Sequence, residues 1–118
     1  GLALDSLHVA AGGLPLDGIA AIDPAKVFLA QLCDWPQTRL PPFEVARHYR
    51  LFPGEGIGPV DAFFRACQQL GYAGCYSVEI MNAHYLHEDP QQVAVRAMES
   101  ACRMAGSTRT TSPPRRPC

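Results

Sequence analysis

The sequence feature that most restricts the fold is a continuous apolar run at residues 26–34, KVFLAQLCD. A strand with one solvent-facing side alternates apolar and polar residues, whereas this run stays apolar until Gln31 and Asp34. Continuous apolar strands are typical of parallel sheets that are covered on both faces. The run therefore predicts a buried parallel strand within an α/β fold.

The rest of the chain alternates strand patterns with helix patterns. The predicted strands are residues 1–5, 26–34, 47–52 and 74–82, and the predicted helices are residues 16–22, 59–70 and 89–104. The prolines of residues 35–44 predict an extended loop there. This order predicts a parallel sheet with right-handed crossovers, and four such units are half of a (β/α)8 barrel. A complete small doubly wound sheet is the alternative.

Apolar periodicity predicts which helix faces are buried. In the helix at residues 59–70, the shared apolar face consists of Val60, Phe63, Phe64, Cys67 and Leu70. In the helix at residues 89–104, the face predicted to point inward consists of Ala94, Ala97, Met98 and Ala101. Both helices are therefore expected to pack against the sheet.

Composition separates a predicted folded part, residues 1–105, from a predicted tail, residues 106–118. The chain is 47% hydrophobic and 8% aromatic, as is typical of a globular protein. The tail consists mainly of Ser, Thr, Pro and Arg without apolar periodicity, which predicts a disordered tail or linker. The sequence opens directly on an apolar run, which predicts a piece of a larger domain.

Charge and cysteine content argue against several classes of function. Residues 1–106 contain seven Lys and Arg against eleven Asp and Glu, and this acidic balance does not suit nucleic acid. No apolar run approaches the ~20 residues that a membrane helix needs, so no membrane partner is expected. The five cysteines include no C-x-x-C pair and are expected to be free thiols, which predicts a cytoplasmic protein.

Polar residues stand at the ends of the predicted strands. Asp5 ends the first strand, Gln31 lies near the end of the second, Arg50 lies near the third and Glu79 lies on the fourth. In a (β/α)8 barrel, functional residues lie at the carboxyl ends of the strands. Two carboxylates and an amide oxygen form a ligand set suited to Mg²⁺ or Mn²⁺. Taken alone, Glu79 could instead be a solvated strand end.

Four segments together resemble the C-terminal half of the xylose-isomerase-like TIM-barrel superfamily, and within it the bacterial 3-dehydroshikimate dehydratases. They are LDSLH at residues 4–8, FLAQLCD at 28–34, RHYRLFPGEG at 47–56, and the stretch from GY to SVEIMN at 71–82. The first motif is short and shared across the superfamily. The R-H-x-R-x-F-P-G-x-G run is more particular to the dehydratases, and the resemblance covers residues 1–105.

The resemblance implies a metal-dependent lyase that removes water from 3-dehydroshikimate to give protocatechuate. Asp5, Gln31 and Glu79 match three of the family's four metal ligands, with Mg²⁺, Mn²⁺ or Co²⁺ as the cation. The fourth ligand, a glutamate, and the catalytic histidine belong to the preceding half of the barrel. Both His8 and Arg50 match positions that line the substrate pocket.

The resemblance leaves the substrate open. Where the dehydratases usually have a serine, this sequence has Ala46, which removes one hydroxyl contact. A sugar-phosphate isomerase or epimerase, or an inosose-type dehydratase, would use much the same metal site. Arg47 and His48 either contact a substrate, such as a hydroxylated cyclic keto acid or a sugar, or face solvent or hold the long loop. A non-catalytic remnant or interaction module, which would self-associate or bind a missing N-terminal half, is the other alternative.

Overall fold

A computed structural model describes residues 1–107 and contains one parallel sheet. Its strands, in spatial order, are β1 (Leu2–Asp5), β2 (Val27–Leu32) and β3 (Tyr76–Val78). In the register of the sheet, Asp5 is the partner of Gln31, and Gln31 is the partner of Ser77. Paired residues point to the same face of a sheet, so these three side chains form a row near its carboxyl end. The predicted α/β fold with parallel strands is confirmed.

Four α-helices connect or follow the strands. They are α1 (Ser6–Ala11), α2 (Pro42–His48), α3 (Val60–Gln69) and α4 (Pro90–Ser107). Short 3-10 helices occupy Leu16–Ala21, Pro24–Lys26 and Ala83–His87. The helices predicted at residues 59–70 and 89–104 are confirmed, and the one predicted at residues 16–22 is a 3-10 helix. Among the described residues, none of the helices combines the length and apolarity that crossing a membrane requires.

The predicted third strand at residues 47–52 is wrong. Arg47 and His48 end α2, and beyond them only isolated bridges form, one joining Tyr49 to Asn82 and one joining Leu51 to Asp34. The helix begins at Pro42, because proline fits the first turn, where a backbone N–H has no intrahelical partner. Prolines that predicted an extended loop therefore start a helix, and the described sheet has three strands rather than four.

The main core lies where α3 and the 3-10 helix Leu16–Ala21 pack beside β2. All five residues of the apolar face predicted for residues 59–70 are buried, and Phe63 is 1% exposed. Leu32 of β2 and Ile19 of the 3-10 helix belong to the same cluster. Apolar burial at this face, worth about 1.5–3 kcal/mol for each large side chain, stabilises the helix.

The predicted inner face of α4 is wrong in part. Met98 is 66% exposed and Ala94 is also exposed, whereas Ser100 and Met104 are buried. The helix is rotated so that Arg96 lies over the ring of Phe52, with 4.7 Å between the guanidinium carbon and the ring centroid. A long arginine stem can cover apolar surface, so its position cannot be deduced from hydrophobicity alone.

The boundary predicted between the folded part and the tail, after residue 105, falls two residues before the end of α4. The first two residues of the predicted tail, 106 and 107, belong to that helix. Residues 108–118 lie outside the described residues.

Candidate functional site

The carboxyl ends of β1 and β3 meet at one buried arginine, Arg50, which is 2% exposed. Its Nη1 donates hydrogen bonds to Asp5 Oδ2 at 2.7 Å and to Glu79 Oε2 at 2.9 Å. Asp5 lies 45 positions from Arg50 in the sequence and Glu79 lies 29 positions from it, yet both carboxylates contact this one cation. Two of the three predicted metal ligands share this position.

Asp5 is held in place by the start of α1. Its Oδ1 accepts hydrogen bonds from the backbone N–H groups of Leu7 at 2.9 Å and His8 at 3.0 Å, so it caps the helix. Its other oxygen faces Arg50. Both oxygens of this buried carboxylate therefore have defined partners, which a buried charge requires.

Glu79 is more accessible than Asp5. It follows β3 directly, and its N–H donates to Leu32 O at 3.2 Å, which continues the strand pairing. Its side chain is 35% exposed. Glu79 can therefore face Arg50 and solvent at the same time.

Gln31, the third predicted ligand, lies between the two carboxylates in the order of the sheet. It is half-buried and is the register partner of Asp5. Within residues 1–107, its side-chain amide has no hydrogen bond, so its oxygen is available to a ligand. In the same range, no group of three His, Cys, Asp or Glu side chains is placed to hold a metal ion. Carboxylate and amide oxygens are the types of donor that Mg²⁺ and Mn²⁺ prefer.

Other N–H groups of Arg50 also have partners. Nε donates to Ala46 O at 2.7 Å, and Nη2 lies 3.3 Å from His8 Nε2. Burial lowers the pKa of Arg50, but Cys33, Asp5 and Glu79 raise it, and the net direction is upward. The guanidinium is a permanent cation held by several groups at once.

Cys33 completes the buried surroundings of Arg50. Its Sγ lies 3.4 Å from Arg50 Nη1 and 3.7 Å from the hydroxyl of Ser6. Burial raises the pKa of the Cys33 thiol, and the negative charge of Asp5 raises it further. The neutral thiol is therefore the form that packs here.

A cavity of about 500 Å³ opens beside Arg50. Its lining residues are His8, Phe43, Ala46, Arg47, Arg50, Glu79 and Met81. Of the predicted substrate-binding residues, His8, Arg47 and Arg50 line this cavity. His48 instead lines a neighbouring groove and lies 3.9 Å from Glu44.

Comparisons with known proteins relate the chain to enzymes of one superfamily. No family model matches it. It is 33% identical over 113 residues to the 3-dehydroshikimate dehydratase of Pseudomonas aeruginosa PAO1, covering 92% of this chain and 17% of the relative. It is 29% identical over 85 residues to the inosose isomerase of Bacillus subtilis 168, covering 72% of this chain and 30% of that enzyme. The chain thus spans less than a fifth of the length of the dehydratase.

Solved structures decide the family. A xylose isomerase-like TIM barrel/4-hydroxyphenylpyruvate dioxygenase fusion protein superposes with a TM-score of 0.84 at 30% identity, covering 92% of this chain and 18% of that one. The chain belongs to the xylose isomerase-like TIM-barrel superfamily. The zinc-binding IOLI protein shares the fold of this TIM-barrel segment, with a TM-score of 0.82 at 23% identity over 94% of this chain and 39% of that one. The predicted barrel segment is confirmed.

Two functional candidates of this TIM-barrel segment were missed from the sequence. Asn82 donates from Nδ2 to Arg50 O at 3.0 Å, and Met81 O accepts from Arg50 N at 3.2 Å. These residues follow the predicted Glu79 strand directly. In the sequence, neither the polar Asn82 nor the apolar Met81 indicates a contact with the backbone of Arg50.

Proposed function

We propose that this chain supplies part of the active site of a divalent-metal-dependent lyase that dehydrates 3-dehydroshikimate to protocatechuate. The observation that carries the proposal is the convergence of Asp5 and Glu79 on one cation, with oxygen to nitrogen distances of 2.7 and 2.9 Å. The 33% identity to a 3-dehydroshikimate dehydratase supports the choice of substrate. Because the chain spans a small part of that relative, the remaining ligand and the catalytic histidine are proposed to come from other barrel residues.

Three residues are proposed to bind the metal. The oxygens of Asp5, Gln31 and Glu79 would hold Mg²⁺, Mn²⁺ or Co²⁺. A bound divalent cation supplies Lewis-acid stabilisation of the negative charge that develops on an enolate oxygen. Asp5 is the more constrained of the two proposed acidic ligands because α1 holds its other oxygen, while the side chain of Glu79 is 35% exposed at the cavity wall.

The geometry supports different roles for the two arginines. Most N–H groups of Arg50 already bind Asp5, Glu79 and Ala46, so it has no free pair of donors for a bidentate bond to a substrate carboxylate. Arg47 lines the same cavity, is exposed and forms no ion pair within residues 1–107. Arg47 is therefore proposed to bind the substrate carboxylate, and Arg50 to orient the acidic residues.

His8 is proposed to bind a substrate hydroxyl. An arginine N–H can only donate, so His8 Nε2 accepts from Arg50 Nη2 and the ring proton lies on Nδ1. His8 is exposed and lines the cavity. Its Nδ1–H is thus the donor that remains for a ligand.

A second candidate function is isomerisation or dehydration of an inosose or a sugar. Ala46 lines the cavity and offers no hydroxyl, which weakens the case for the dehydratase substrate. The 29% identity to an inosose isomerase supports this candidate. Both candidates use a hydroxylated cyclic or sugar substrate and the same acidic residues. A cytoplasmic location is also proposed, because the four described cysteines are free thiols.

The proposal is tested with Glu79→Gln in the complete encoded protein. We expect Mn²⁺- or Mg²⁺-dependent formation of protocatechuate, followed by ultraviolet absorbance, to fall by about 100-fold or more. Glu99→Gln, which changes an exposed glutamate of α4, is the matched control and should keep full activity. Unchanged metal dependence in the Glu79 variant would rule out its role as a ligand. Conversion of inosose without any aromatic product would favour the second candidate.

A further inference from the structure

Asp34 is a buried carboxylate that the proposed mechanism does not use. It follows β2 closely and is 1% exposed. Its Oδ1 accepts from the backbone N–H groups of Trp35 and Gly58, both at 2.8 Å. Its Oδ2 accepts from the N–H groups of Gly54 at 3.1 Å and Gly56 at 2.9 Å. One side chain thus satisfies four backbone donors, three of them from residues 54–58.

The glycines of this loop are required by its close approach to Asp34. A Cβ added at Gly56 would overlap Trp35 O and lie 2.5 Å from Asp34 Oδ1. A Cβ added at Gly58 would lie 2.8 Å from the same Oδ1. Only glycine lets the backbone N–H groups reach the carboxylate at these positions.

The loop anchored by Asp34 continues directly from Arg50. The backbone of Asp34 forms two hydrogen bonds with Leu51, each 2.8 Å long. On the other side, Arg50 N donates to Met81 O, and Asn82 Nδ2 donates to Arg50 O. The backbone at Arg50 and Leu51 is thereby fixed between the end of β2 and the segment after β3.

We infer that Asp34 is a positioning residue for Arg50: by binding the loop at residues 54–58 and pairing with Leu51, it sets where the guanidinium meets Asp5 and Glu79. The link to catalysis rests on the function proposed above, whereas the position of Arg50 is measured independently of it. The negative charge of Asp34 matters because asparagine would place its NH₂ group against two backbone donors in either orientation of the amide.

The experiment is nuclear magnetic resonance of the full 118-residue chain labelled with ¹⁵N. The reporter is the Arg50 Nε–H, which donates to Ala46 O at 2.7 Å in a buried setting. In Asp34→Asn, we expect its hydrogen exchange to accelerate about tenfold, because the anchor of the adjoining loop is lost. The backbone amide of Phe63 in α3 reports global stability and should change much less. Emission of Trp35, the only tryptophan, reports release of the loop.

A second variant tests the same inference without altering charge. Gly56→Ala should displace the loop by steric contact with Trp35 O and accelerate exchange of the Arg50 Nε–H in the same way. The matched controls are Asp23→Asn, which alters only a local cap, and Gly106→Ala, which has open space. Neither control should change the Arg50 signal.

Two results would overturn the inference. One is an unchanged Arg50 Nε–H in a folded Asp34→Asn protein whose Gly54 and Gly56 amides have shifted. The second result applies if Asp34→Asn does not fold. The test then rests on Gly56→Ala, and an unchanged Arg50 Nε–H signal in that variant would overturn the inference. The two proposals can fail separately. If Arg50 Nε–H exchange responds as expected but the protein has neither dehydratase nor isomerase activity, the positioning role stands and the proposed function is wrong.

Discussion

Helix α3 and the segment at residues 42–58 are stabilised by different interactions. The helix buries an apolar face that includes Phe63 and Cys67. The segment also buries Phe52, but it depends in addition on two buried charges, its own Arg50 and Asp34 after β2, whose hydrogen bonds reach residues far apart in the sequence. Apolar packing tolerates small shifts, whereas a buried charge needs each partner at hydrogen-bond distance. The candidate site lies in the region that depends on these hydrogen-bond distances.

The largest expected effect is on the apolar side of this comparison. Phe63→Ala should lower the free energy of unfolding by about 3–5 kcal/mol, because it removes a buried ring and leaves a cavity. Urea unfolding followed by circular dichroism measures the change. Met98→Ala is the matched control, since an exposed side chain should change stability by no more than about 0.5 kcal/mol. Equal losses in the two variants would contradict the packing described for α3.

The next effect tests the charged side. Arg50→Met should lower the free energy of unfolding by about 3 kcal/mol, because Asp5 would remain buried without its cation. Arg65→Met removes an exposed ion pair with Asp61 and should cost less than about 1 kcal/mol. The double variant Asp5→Asn/Arg50→Met should be more stable than Arg50→Met alone. A double variant less stable than the single one would argue against an uncompensated charge as the cause.

The smallest expected effect is a pH dependence of stability, which should differ between the buried thiols of Cys67 and Cys33. Burial raises the pKa of Cys67 to about 11. Above the ordinary thiol pKa of about 8.5, the unfolded chain loses this proton while the folded chain keeps it, so stability falls by up to ~1.4 kcal/mol per pH unit. Cys67→Ala should remove this slope in urea unfolding between pH 8 and 10. Cys33→Ala should remove less, because Arg50 opposes the rise in its pKa. A larger loss of the pH slope in Cys33→Ala than in Cys67→Ala would contradict this expectation.

The sequence predicted α3 well because its evidence is local. Val60, Phe63 and Cys67 repeat at helical spacing, and the structure buries all three. The row of Asp5 and Gln31 was also predictable, since both stand at the ends of apolar strands and parallel strands align their ends. The segment at residues 47–52 was not, because short aromatic and basic runs fit a strand and a helix end equally well.

The sequence by itself determined an α/β chain with parallel strands, an amphipathic α3 and acidic residues at the strand ends, since periodicity and strand ends depend on neighbouring residues. Only the tertiary structure decided that Arg50 joins Asp5 to Glu79, that Asp34 binds the glycine loop and that Arg96 rather than Met98 covers the ring of Phe52. Hydrogen bonds to charged groups depend on distances between residues far apart in the chain. No local pattern records those distances.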